Sequence, residues 1–130
     1  MSKLKLPDTR QSVTHRAVIY GKDGKVKFFF TLGFYEDGKP GELFLHMDQS
    51  GSTLDGFADA WSTAFSMCLQ LGAPMKSLIK KFGHQDFEPR GMTDNPDLRM
   101  AQSVIDYVVR WIETYCHLGK ETNEQQTKGK

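Results

Sequence analysis

His84, Phe87, Arg90, Asn95 and Arg99 fall within one stretch, FGHQDFEPRGMTDNPDLR, residues 82 to 99. Together these types could recognise a nucleotide-like anion. Guanidinium and imidazole groups donate to phosphate. An aromatic ring stacks on a base for roughly 1–3 kcal/mol, and an amide can read an adenine edge. Long loops without structure of their own are usually functional or disordered. Disordered segments are poor in aromatics, whereas this stretch carries Phe82 and Phe87. The same residues also admit a structural reading. Phe82 and Phe87 then pin the loop to the core, Asn95 caps a helix, and Arg90 pairs with Asp86 or Glu88. Asp94 and Asp97 oppose an anion at that helix start.

Elsewhere the sequence offers little reactive chemistry. Cys68 sits on an apolar helical stripe, the setting of an inert buried thiol. Cys116 lies near a helix end, where no positive dipole lowers its pKa. Ser52 reads as a turn and helix cap, with no histidine at useful spacing. His15, His46, His84 and His117 stand alone in sequence, and Glu36, Asp37 and Glu42 flank a glycine turn that they would keep wet. No phosphate-loop or dinucleotide fingerprint occurs. The residues therefore assign no catalytic group, no metal ligands and no cofactor.

The elements that must position the stretch are legible from periodicity. Val13 to Tyr20 alternates as a strand, and Asp23-Gly24 suits a tight hairpin turn. Lys25 to Tyr35 is the strongest strand, and Glu42 to Met47 a third, with Leu43, Leu45 and Met47 on one face. Leu54, Phe57, Ala58, Trp61, Phe65, Cys68 and Leu69 then form the stripe of an amphipathic helix. Ser52 or Thr53 caps its start, and Gly72 ends it. Pro74 opens a short helix with Leu78, Ile79 and Phe82, which Gly83 closes. Asn95 is a good N-cap and Pro96 a good first residue for a last helix. That helix carries Leu98, Ala101, Ile105, Val108, Ile112 and Tyr115 to about Leu118, and Gly119 stops it. Strands followed by helices give the α+β class: an antiparallel sheet of three or four strands, then two or three helices packed on it. Residues 1–12 read as an arm, 13–119 as a single domain and 120–130 as a polar mobile tail. Phe29, Thr31, Tyr35, Val18, Tyr20 and Phe44 make the second sheet face apolar too. Either a helix covers each face or the second face meets another copy.

Length, charge and hydropathy bound the function. The chain has 130 residues, and 17 Lys plus Arg against 16 Asp plus Glu leave a net charge of +1. One domain with a core fits that length. So small a charge gives no field for long nucleic acid, so any anion site is local. No apolar run suffices to cross a bilayer, and the start MSKLKLPD has no signal core. A soluble, cytoplasmic protein is expected.

Six runs in order, LPDTRQSVTH, LGFYEDGKPGELF, GST, KFGHQDFEPRG, TDNPD and AQSVIDYVVRWI, closely resemble one known region. It is the C-terminal accessory region of adenosylcobalamin-dependent (class II) ribonucleotide reductases, a TSCPD-type domain. The resemblance covers about residues 6 to 112. The reductase barrel, cobalamin site, radical cysteines and trailing zinc ribbon have no counterpart here, so no reductase activity carries over. The resemblance implies a non-catalytic accessory domain beside a nucleotide-using machine. Stand-alone members occur, some resembling phage products. Three roles follow as expectations: a homo-oligomer binding a nucleotide or cyclic-nucleotide-like molecule, a viral sponge for a nucleotide immune signal, or a module docking on a reductase or other partner. The sponge reading rests on analogy of size and architecture.

Overall fold

Ser12–Gly21 (β1), Gly24–Phe34 (β2) and Pro40–Met47 (β3) are the three strands that alternation predicts. A computed structural model describes residues 4–116. The expectations for His117, the helix end at Leu118, the stop at Gly119 and the tail lie outside the described residues. β1 pairs antiparallel with β2, and β2 with β3. Gly24, at φ 120°, adopts the left-handed turn geometry that favours glycine. Ala17, Ile19, Phe28, Phe30, Leu32, Leu43 and Leu45 face the core and are buried.

Thr53–Gln70 (α1), Met75–Phe82 (α2) and Val104–Tyr115 (α3) all pack on that face. Ser52 caps α1 by accepting from the Asp55 N–H at 3.1 Å. Ala58, Phe65 and Leu69 make its buried stripe. Phe57, expected on that stripe, is instead 72% exposed. It lies about 80° round the helix from Phe65, which carries it past the edge of the core. Tyr115 is also exposed rather than buried at the end of α3.

β3 is an edge strand, and α1 covers its free backbone with polar side chains. Leu43 N–H donates to Ser66 Oγ, which donates back to the Leu43 carbonyl. Leu45 N–H reaches Ser62 Oγ at 3.3 Å and Met47 N–H reaches Asp55 Oδ1 at 3.0 Å. Edge-to-edge pairing with another chain is thereby blocked there. The arm is tied in as well: Leu4 N–H donates to the Gln70 carbonyl, and Tyr35 Oη to the Leu4 carbonyl. Arg10 grips both Glu42 oxygens, at 2.5 and 2.9 Å. Glu42 is thus a buried ion-pair partner, not the wet turn residue its glycine neighbours suggested, because Arg10 lies across the strand to meet it.

The stretch after α2 holds structure that periodicity missed. Gly91–Thr93 (β4) pairs with β1, and Met100–Ala101 (β5) pairs with β4, giving the order β3-β2-β1-β4-β5. The class is α+β as expected, with five strands where three or four were read. α3 starts at Val104, not at Pro96. The spacing of Leu98 and Ala101 imitates a helical stripe, but a turn and a strand bury them. Asn95 therefore does not cap a helix; its Oδ1 accepts from the Asp97 N–H at 2.9 Å within the turn.

Candidate functional site

Asp106 organises the stretch from below. It is fully buried in the first turn of α3, which Ser103 caps by accepting from the Asp106 N–H at 3.0 Å. Its Oδ1 accepts from the His84 N–H at 2.7 Å, and its Oδ2 from the Gln102 N–H at 2.9 Å. Arg110 Nη1 adds a contact at 3.1 Å. His84, at φ 67°, holds a left-handed conformation costly for a side-chain-bearing residue. Phe87 N–H donates to the Gln102 carbonyl, and Ser103 Oγ to the Gln85 carbonyl, so the two ends of the stretch run side by side. Sequence reasoning missed Asp106, although Ser103-Val-Ile-Asp106 carries the spacing of a capping pair.

The five sequence-predicted residues are spread along this scaffold. His84 and Phe87 sit near its start, His84 exposed and Phe87 half-buried. Arg90 precedes β4, and its Nε donates to Asp86 Oδ1 at 2.6 Å, with Glu88 at 3.6 Å from Nη1. Arg99 is exposed at the opposite end of the β4–β5 pair, its carbonyl accepting from the Thr93 N–H. Asn95 points the other way: its Nδ2 donates to Tyr107 Oη at 3.0 Å. A cavity of about 310 Å³ opens between the β1–β2 turn, Leu54 and the Glu88–Arg90 segment. It takes in Arg90 and Lys22, which itself pairs with Glu88 at 3.1 Å. Asn95 lines a separate, smaller space beside Trp111. The two cavities share no lining residue.

Asn95 belongs to a second polar cluster. Tyr107 Oη lies 2.8 Å from His15 Nε2, and the imidazole packs against Phe30 and Trp111. Tyr107 Oη, which accepts from Asn95, thus shares a second hydrogen bond with His15 Nε2. Burial pushes His15 below its ordinary value of 6.5, against a smaller upward pull from Asp94. Burial likewise raises Tyr107. Alternation put His15 on the core face with Ala17 and Ile19, a signal that a lone-histidine reading passes over.

The pH consequence has a defined sign. The unfolded chain protonates His15 near its ordinary value, while the folded chain resists until lower pH. Stability from this group should be complete above about pH 6.5 and fall as pH drops through the window just beneath it. Asp55, lowered first by the backbone N–H of Met47 and then by that of Gly51, acts in a separate window below ordinary carboxylate values. Urea midpoints between about pH 7 and pH 5 should decline in the wild type and flatten in His15→Gln, which keeps a partner for Tyr107. An equal decline in both would remove His15 as the cause.

The profile of the TSCPD domain matches residues 2–116. The vitamin B12-dependent ribonucleotide reductase of Rhodopirellula baltica is 46% identical over 108 residues, which is 83% of this chain and 10% of that protein. The enzyme of the same name from Streptomyces coelicolor is 40% identical over 131 aligned positions, 95% of this chain and 13% of that protein. That from Bradyrhizobium diazoefficiens is 36% identical over 107 residues, 82% and 8% respectively. The chain thus spans about a tenth of the length of these relatives. No solved structure matches.

Proposed function

The chain belongs to the TSCPD domain family, and on that premise we propose that it is a non-catalytic accessory module that docks on a larger protein of the reductase type. The open face of the sheet carries this reading. Among the described residues all three helices lie on the other face, while Tyr20, Phe29, Phe44, Met92 and Met100 share this one and are 37% to 53% exposed. A five-stranded sheet covered on one side should be polar on the other, and large apolar side chains gathered on one exposed face mark an interaction surface. Arg16, Lys25 and Lys27 interleave with these residues on the same face, and such charges help select and orient a partner. In the named relatives the same domain is one segment of a much longer chain.

The test is binding to a purified adenosylcobalamin-dependent reductase. Aromatic anchors at the centre of an interface are commonly worth about 2 kcal/mol or more. Phe29→Asp with Phe44→Asp should therefore weaken binding at least roughly thirtyfold and leave the melting temperature nearly unchanged, because both rings are exposed. Wild-type protein that fails to bind, or a variant that binds as well, would refute the proposal.

The cavity beside the β1–β2 turn favours a second reading, a nucleotide site. Lys22 and Arg90 can offer donors to phosphate there, and Val26, Leu54 and Pro89 an apolar wall. A sponge for a nucleotide immune signal would use the same groups. The phosphate must first displace Glu88 from Lys22 and Asp86 from Arg90, which limits affinity. Thermal shift against nucleotides and cyclic dinucleotides decides it. A ligand at a hundred times its dissociation constant adds about 2.7 kcal/mol, and Arg90→Ala should remove about 1.5–3 kcal/mol of binding. A panel without any shift would end this reading.

A further inference from the structure

α1 carries a second apolar stripe that the fold does not use. Phe57, Ala60, Ala64, Met67 and Leu71 recur at spacings of three and four and are all exposed. They occupy a band about 80° wide on the side of the helix away from Phe65. The whole helix, TLDGFADAWSTAFSMCLQ, has no cation, and of its two carboxylates Asp55 is committed to β3. Repeats of this kind are the seam of helix pairs. A solvated helix face normally carries charge.

We propose that this stripe is the interface of a homodimer in which α1 packs antiparallel against α1 of a second copy, with the two-fold axis at Ala64. Size and charge both select a second copy in that orientation. About an axis at Ala64, Phe57 meets Leu71 of the partner at each end, and Ala60 comes within one residue of Met67, so large side chains pack at the ends and a small one faces a large one further in. Ala64 meets itself and lets the backbones approach. The arm brings Leu4 and Lys5 to the C-terminal end of α1 through the Leu4 N–H to Gln70 carbonyl bond of 2.8 Å. Leu4, 63% exposed, adds an apolar side chain at that end. Antiparallel packing then sets Asp59 of each copy toward the Lys5 end of the other. A parallel pair would instead oppose like charges. The inference does not rest on the docking face, which lies on the opposite side of the sheet and stays open in this dimer.

Disulfide trapping and sedimentation on the full chain test this. Ala64→Cys is nearly isosteric and sits on the axis, so mild oxidation should give a covalent dimer. Wild-type protein, with Cys68 and Cys116 half-buried, and Thr31→Cys on the sheet face should not. Ala64→Glu should stay folded by circular dichroism and raise the dimer dissociation constant roughly a hundredfold, since like charges would meet at the axis. Lys5→Glu should weaken the dimer, and adding Asp59→Lys should restore it. A wild-type monomer throughout the micromolar range would overturn the proposal. So would equal trapping at Thr31, or an Ala64→Glu protein that still pairs.

Discussion

Asp106→Ala is expected to lower the stability of the domain by about 3–5 kcal/mol, the cost of removing one partner from a buried charged network. The carboxylate is fully buried and receives the His84 and Gln102 N–H groups as well as Arg110. Truncation leaves two backbone donors without an acceptor, each worth about 1–3 kcal/mol when buried and unmet. Arg110 is partly exposed and can turn to water, so most of the loss falls on the loop. Asp106→Asn keeps one acceptor oxygen but turns an amide donor toward the other N–H, and should cost nearly as much. Urea unfolding measures the total. Hydrogen exchange should show residues 83–103, β4 and β5 included, opening before β1, β2 and β3 do. A change under about 1 kcal/mol would show that other contacts hold the stretch. Asp106 also fixes the two ends from which His84, Phe87 and Arg90 project, so the same change should scatter any ligand wall they form.

The long strands and α1 were legible because each repeats one period over many residues. Phe28, Phe30 and Leu32 alternate, Asp23-Gly24 marks the turn, and Ser52 caps α1 where the pattern changes. β4 and β5 were not, because three and two residues are too few to show a period. Their pairing is fixed by backbone approach to β1 and by Asp106 in the first turn of the helix that follows β5. The start of α3 was misread because Asn95-Pro96 carries a strong start signal that the Thr93, Asn95 and Asp97 turn consumes. The α1 stripe at Phe57 was visible as apolar but merged with the core stripe beside it, since both lie within one turn. For the five candidate residues, a local pattern offers only residue type and position along the stretch. Whether Arg90 pairs with Asp86, and which way Asn95 turns, depends on contacts that no local pattern encodes.

Gly91→Ala should be nearly as damaging as the loss of Asp106, for a different reason. Gly91 sits at φ 152°, a backbone conformation that side-chain-bearing residues rarely adopt. A methyl group there would lie inside van der Waals contact of the Tyr20 carbonyl oxygen, with that carbonyl carbon at 3.1 Å. The obstacle is backbone, so no rotamer change relieves it. β4 pairs with β1 at Ile19 and Tyr20, directly beside this point. The strand must therefore lift away, carrying β5 and Met92 and Met100 with it. Strain and lost pairing together should cost about 3 kcal/mol or more, at the upper end of single substitutions. Gly24→Ala is the control: it also has positive φ, but nothing lies within 4 Å of the added atom. It should lose only the conformational cost, about 1–2 kcal/mol. Docking separates the two further. Gly91→Ala removes the Met92 and Met100 end of the open face and should weaken binding to a reductase, whereas Gly24→Ala should leave it intact. Equal stability of the two variants in urea would mean that β4 shifts without cost, and that the hairpin is not held to β1 as described.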